Sequence, residues 1–216
     1  MSNAFPSFAI PMPQITTYTG GIAATNGHLL TLPGGTVLVD APDGVAAWLK
    51  QQKVKVDVLF LTHQHFDHVL DAAAVKADHD CRVYSFAPYS KELTLEILYG
   101  AVTGSPFSVP PFEADEILEG KSQIEALGET WKIYHVPGHS PDSICFHLEN
   151  QNLLFGGDVL FLDGVGRTDF PNGSSVLLLS GILKKLFALP DATRVFPGHD
   201  DDTTIGRERM ENPFLT

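Results

Sequence analysis

Six consecutive residues constrain this chain more than any other feature: His63-Gln64-His65-Phe66-Asp67-His68. They follow the apolar run Val56-Asp57-Val58-Leu59-Phe60-Leu61-Thr62, which reads as a buried strand. The cluster therefore belongs to the loop at a strand end, where a rigid sheet commonly displays functional groups. Imidazole nitrogens and carboxylate oxygens are the donors that zinc and its first-row neighbours prefer. Packing alone does not ask for such a set, because each buried polar group needs a partner. A metal site is the default reading.

Three further candidates recur in one local setting. His139 lies in Val136-Pro137-Gly138-His139-Ser140, Asp158 in Phe155-Gly156-Gly157-Asp158, and His199 in Val195-Phe196-Pro197-Gly198-His199. Each follows an apolar β run and at least one glycine, which lets the backbone turn sharply. Four strand ends can thus deliver His63, His65, Asp67, His68, His139, Asp158 and His199 to one mouth. A single tetrahedral metal with an open position takes three protein ligands. Seven suit two metals, one carboxylate bridging, and two metals about 3.5–4 Å apart form a hydrolytic centre. His28, His79, His135 and His147 are read as ordinary core or surface histidines.

The remaining pattern is of short strands and interspersed helices. Strands are expected at 15–18, 28–32 and 36–39, with Pro33-Gly34-Gly35 marking a hairpin, then from Val56 and over 82–86. Further strands are expected at 123–127, 131–136, 144–148, 153–155 and 193–196. Helices are expected from an Asp43 cap through Lys50, over 69–77, over 90–99 ending at Gly100, over 175–189, and from about Thr203. The proline-bearing stretch 103–113 reads as a loop able to line a mouth. Residues 1–14 read as a loose leader and 15–216 as one domain. The expected architecture is α/β, two packed sheets with helices outside.

Composition narrows the function. The 216 residues are 44% hydrophobic and 19% charged, enough for a sizeable core. The formal net charge of −12 disfavours nucleic acid as a partner. No window approaches the roughly 20 apolar residues of a bilayer span. Two cysteines are too few for a disulfide framework. Residues 1–13 lack the basic-then-apolar order of a secretory signal. A cytoplasmic protein with reduced thiols, acting on a small molecule away from membranes, is expected. Its oligomeric state is not legible.

His63-x-His65-x-Asp67-His68, Pro137-Gly138-His139-Ser140, Gly157-Asp158 and Pro197-Gly198-His199, in that order, resemble the metallo-β-lactamase superfamily. The resemblance runs from about residue 15 to the C-terminus. Gly157-Asp158-Val159-Leu160-Phe161 with Gly166-Arg167-Thr168-Asp169, and Thr203-Thr204-Ile205-Gly206-Arg207-Glu208 with Asn212-Pro213-Phe214, resemble its glyoxalase II-like (hydroxyacylglutathione hydrolase-like) branch.

The resemblance implies a four-layer αββα sandwich of two mixed sheets with the site at one edge. It implies two divalent ions, zinc first, with iron or manganese as alternatives. His63, His65 and His139 would hold one and Asp67, His68 and His199 the other, with Asp158 shared. Asp67 and Asp158, with a metal-bridging hydroxide, are the implied catalytic groups, attacking a thioester or ester carbonyl. Two divalent ions, two carboxylates and a hydroxide sum to about +1, which suits an anionic substrate. Asp40, Arg167 and Asp169 are candidates for orienting the ligands, Arg167 and Asp169 equally for a buried ion pair bracing their loop. Glyoxalase II proper continues into a helical glutathione-binding region, whereas this chain stops at Thr216. A short form is expected in which hydrolysis is retained, and whether glutathione is recognised is left open. The alternative is a persulfide dioxygenase of the same superfamily, with one iron on His63, His139 and Asp158. A non-catalytic metal-binding protein and a nucleolytic member are the lesser readings.

Overall fold

The computed structural model describes residues 13–216. The expected leader lies outside the described residues except for its last two, and Gln14 already opens the first strand.

One sheet contains β1 (Gln14–Gly20), β2 (Thr25–Leu32), β3 (Gly35–Val39), β4 (Val58–Phe60), β5 (Arg82–Ser85) and β6 (Glu116–Ile117), paired in that order. Its first three strands are antiparallel and β3 through β6 are parallel. The second sheet is formed by β7 (Gln123–Ala126), β8 (Glu129–His135), β9 (Ile144–Leu148), β10 (Leu153–Gly157), β13 (Arg194–Pro197) and β14 (Thr203–Thr204). It runs β14-β13-β10-β9-β8-β7, with only the β10–β13 pair parallel. Between β10 and β13 lies a small hairpin, β11 (Leu160–Phe161) and β12 (Gly164–Val165). Both large sheets are mixed, as expected.

Strands β3, β4, β9 and β10 are apolar runs with almost every residue buried, because both of their faces are covered. One core fills the space between the sheets. Phe60 stacks on Phe146 at 4.4 Å with the rings 4° apart and meets Trp131 edge-on at 5.0 Å. Leu38, Leu59 and Val83 point the other way, into the helices α1 (Val45–Gln52), α2 (Phe66–Val69) and α3 (Ala72–His79). Cys145, Leu154 and Val195 face α5 (Ser175–Gly181) and α6 (Ile205–Glu211) across the second sheet. The layers are αββα. Cys81 and Cys145 are buried free thiols.

Several expected boundaries move. The helix placed at 90–99 is α4 (Glu96–Thr103), running through Gly100 and closed by left-handed Gly104. Leu95 before it is also left-handed, at φ +57°, so the preceding residues form a separate turn. Asp43 does not cap α1, whose first turn follows left-handed Gly44. The 175–189 helix is α-helical only to Gly181 and continues as a π turn over 182–186. At 203–211 a two-residue strand precedes the helix, which Thr204 caps by accepting the Arg207 amide. The strand pairs β6, β11–β12 and β14 are too short to show periodicity.

Candidate metal centre

All seven expected ligand candidates meet at one sheet edge. His63 leaves β4 two residues after Leu61, and Gln64 and His65 complete the loop. His65 is extended (φ −54°, ψ 141°) and α2 begins at Phe66, so Asp67 and His68 occupy its first turn. The turn carrying His139 requires its glycine: Gly138 has φ +141°, and a β-carbon there would collide with the Ser174 carbonyl and with Leu178. Gly198 is required by proximity, since a β-carbon would run into the Asp158 carboxylate and the His68 ring. The turn bearing His199 is held by Gly198 donating to the Gly157 carbonyl at 2.9 Å.

Ligand-type atoms of His63, His65 and His139 lie within 4.8 Å of one another, as do those of Asp67, His68 and His199. A third set of His63, His68 and Asp158 joins the two trios. Asp158 Oδ2 is 3.3 Å from His139 Nε2 and 3.4 Å from His199 Nε2, and its Oδ1 is 3.2 Å from His68 Nε2. Asp67 Oδ2 is 3.6 Å from His68 Nε2 and 3.4 Å from His199 Nε2. The Nε2 atoms of His63, His68 and His139 and Oδ1 of Asp158 are buried without a hydrogen-bond partner. Orphaned donors of this kind, converging from several elements, fit divalent cations.

The far side of each ring fixes which nitrogen faces inward. The Arg167 carbonyl can only accept, so His139 Nδ1 donates to it at 2.8 Å and leaves Nε2 free. His68 Nδ1 stands 2.8 Å from Asp40 Oδ2. Asp40 also accepts from the Thr62 amide and hydroxyl, at 2.8 and 2.7 Å, and occupies a left-handed φ of +62°. Thr25 Oγ1 donates to Asp67 Oδ2 at 2.7 Å.

Charges in the cluster are strongly coupled. Burial lowers the pKa of His63 well below its ordinary value, helped by His68 and His65, and that of His65 to about 3, helped by His139. Burial opposes charge on His68 as well, but Asp158, Asp67 and Asp40 outweigh it and raise its pKa well above the ordinary value. Burial opposes charge on His199 too, but the Asp158 and Asp67 carboxylates, each 3.4 Å from its Nε2, raise its pKa to about 10. Burial would raise Asp158, yet His68 and His139 hold its carboxyl well below the usual carboxylate range. The same competition, led by His68, puts Asp67 at about 2. The carboxylates of this site thus demand positive charge beside them.

Arg167 and Asp169 depart from one of their expected roles. They form a bidentate pair at 2.6 and 2.7 Å, but both side chains are exposed, so this is no buried brace. Arg167 touches the centre through its carbonyl. Its guanidinium lies 4.3 Å over the Phe170 ring, which packs edge-on against His65 at 5.3 Å and His139 at 6.0 Å.

Other residues of the site were not singled out by sequence. Asn26 Nδ2 donates to the Pro197 and Asp200 carbonyls at 3.2 and 2.9 Å, and His28 Nε2 reaches the Pro197 carbonyl at 2.9 Å. Together they pin the His199 turn from β2. Buried Asp142 accepts from Ser140 Oγ and braces the turn that carries His139. No local spacing signals these contacts.

A sandwich of this topology, with clustered histidines and aspartates at one edge, belongs to the metallo-β-lactamase superfamily, whose sequence profile matches residues 20–199 of this chain. Among characterised relatives, the hydroxyacylglutathione hydrolase GloC of Haemophilus influenzae is 36% identical over 179 residues, covering 81% of this chain and 84% of that protein. The crystal structure of BLEG-1 B3 metallo-β-lactamase superposes with a TM-score of 0.84 at 33% identity, over 94% of this chain and all of that one. That of TTHA1623 in a di-iron-bound form gives 0.78 at 32% identity, over 93% and 100%.

Proposed function

We propose that the protein is a dinuclear metal-dependent hydrolase of a thioester or ester, similar to the glyoxalase II-like branch. The observation that carries this reading is the position of Asp158, one oxygen of which lies 3.3 Å from a histidine of the first trio and 3.4 Å from one of the second. His63, His65 and His139 would hold one cation, Asp67, His68 and His199 the other, and Asp158 would serve both. Zinc is the first candidate; a di-iron form of a relative at 32% identity makes iron the next.

The chain's own residues do the positioning. Asp40 and the Arg167 carbonyl each take the outer nitrogen of a histidine and aim the other inward. Thr25 holds one oxygen of Asp67. Packing of Phe170 against His65 and His139 keeps bulk water from that side. When bound, a pair of divalent cations supplies the charge that acidifies water and polarises an acyl carbonyl. The net change is addition of one water: the acyl C–S or C–O bond breaks, a new C–O bond forms, one proton goes to the leaving group and one to solvent. A one-iron dioxygenase would use only His63, His139 and Asp158.

Elemental analysis of the purified protein tests this, together with a panel of thioester, ester, lactone, β-lactam and glutathione persulfide. Two metals per chain and thioester or ester turnover are expected. Asp158→Ala should lower the content below one metal per chain and abolish turnover. One iron with oxygen uptake on the persulfide overturns the proposal, as does an Asp158→Ala protein that keeps both metals and its rate.

A further inference from the structure

Beside the candidate centre lies a groove of about 270 Å3 lined by Phe66, Leu95, Leu98, Tyr99, Val102 and Phe170. Two of these residues are continuous with the site. Phe66 follows His65 in the chain, and the Phe170 ring rests on His65 and His139. Two of its lining rings are braced: Phe66 packs on Tyr99 at 4.5 Å, and Phe107 behind them packs on both at 5.2 and 4.6 Å. Helix α4, which carries Tyr99, forms one wall. It is anchored by Glu96, 2% exposed, which accepts from the Tyr89 hydroxyl at 3.0 Å and the Val109 amide at 2.8 Å. Yet α4 leaves Leu98 and Val102 uncovered, Val102 at 77% exposure. A wall fixed from behind and bare in front is built to meet something apolar.

The charges around it do not suit an ionic carrier. Arg167, over the Phe170 ring, is paired with Asp169, and Lys91 lies 3.5 Å from Glu96.

We infer that this groove binds an unbranched apolar chain of the substrate, attached at the bond hydrolysed in the neighbouring centre. The inference rests on the hydrolase reading and sharpens it to medium-chain acyl or alkyl (thio)esters. At ~30 Å3 per water-sized group, the groove takes a chain of roughly nine carbons. Each methylene entering it should raise kcat/KM by about two- to four-fold until the groove is full.

The test uses two series on the metal-loaded protein. One varies the acyl group of N-acetylcysteamine thioesters from acetyl to octanoyl. The other varies the alcohol of acetate esters from ethyl to octyl. The series that climbs identifies the side of the scissile bond that occupies the groove. Calorimetry with non-hydrolysable S-ethyl to S-octyl thioethers of N-acetylcysteamine reads binding without turnover. A double Leu98→Gln, Val102→Gln variant, checked for unchanged circular dichroism and metal content, should cut the octanoyl-to-acetyl ratio (or octyl-to-ethyl) at least ten-fold. Hydrolysis that is flat with chain length in both series overturns the groove assignment and leaves the hydrolase standing. Thioether affinity that climbs with length while no substrate is hydrolysed supports the groove and overturns the hydrolase. Flat affinity without hydrolysis overturns both.

Discussion

Gln64 sits in the middle of the histidine loop, fully buried, yet it offers the centre nothing. Its side chain instead donates to the Ala87 and Pro88 carbonyls and accepts the Ser90 amide, all at 3.0 Å. Beside the His139 turn, Asp142 accepts from Ser140 Oγ with one carboxylate oxygen, and the other is buried without a partner. Burial therefore pushes the Asp142 carboxyl up to about 6, only partly offset by Ser140. A raised carboxyl pKa means that the folded state holds this proton more tightly than the unfolded chain. The contribution is present at low pH and is lost as pH rises from about 4 through 6, by roughly 3 kcal/mol in all. In Asp142→Asn that slope should vanish. Urea titrations of both proteins in chelator, from pH 4.5 to 7.5, should show the variant gaining on the wild type by about 2 kcal/mol as pH rises. A constant difference would mean that Asp142 is not titrating in this window. His63, His65, Asp67, His68, His139, Asp158 and His199 were all visible as a set because their residue types and glycine-led turns repeat. Asp40 was visible only as a strand-end acid. Thr25 and Asn26 were invisible, because a side chain that supports a site across 42 or 171 positions leaves no local pattern.

At the scale of elements, the Thr203–Phe214 motif proves to be a brace. Glu208 on α6 is fully buried and accepts from the Thr203 hydroxyl, Arg207, the Asp163 amide and Asn212. It therefore ties β14 and α6 to the turn of the β11–β12 hairpin, which follows Asp158. Glu208→Ala leaves these donors unmatched and should cost about 3 kcal/mol or more in urea denaturation. Its metal content should stay at the wild-type level. Helix α4 shows where local signals mislead: Gly100 reads as a stop, but the chain continues to Gly104. Anchoring of Glu96 outweighs the propensity of one glycine, worth about 1 kcal/mol.

For the whole molecule, the site draws on β2, on the loops after β3, β4, β8, β10 and β13, and on α2, so bound cations would tie both sheets at one edge. If they bind the native state alone, saturation to 100 times Kd stabilises by about 2.7 kcal/mol per site. Removing them with chelator should lower the melting temperature by roughly 5–10 °C per site, restored by stoichiometric metal, as scanning calorimetry would read. No helix among the described residues is long and apolar enough to cross a membrane. By itself the sequence determined the chemistry and the class of fold: donor atoms are fixed by residue type, and buried strands by runs of apolar side chains. Only the tertiary structure set how far Asp158 stands from each trio, that Arg167 faces the centre through its carbonyl, and that α4 leaves an apolar wall beside the centre. Those are distances between residues far apart in the chain, set by how two sheets and their helices pack, and packing is a property of the whole core.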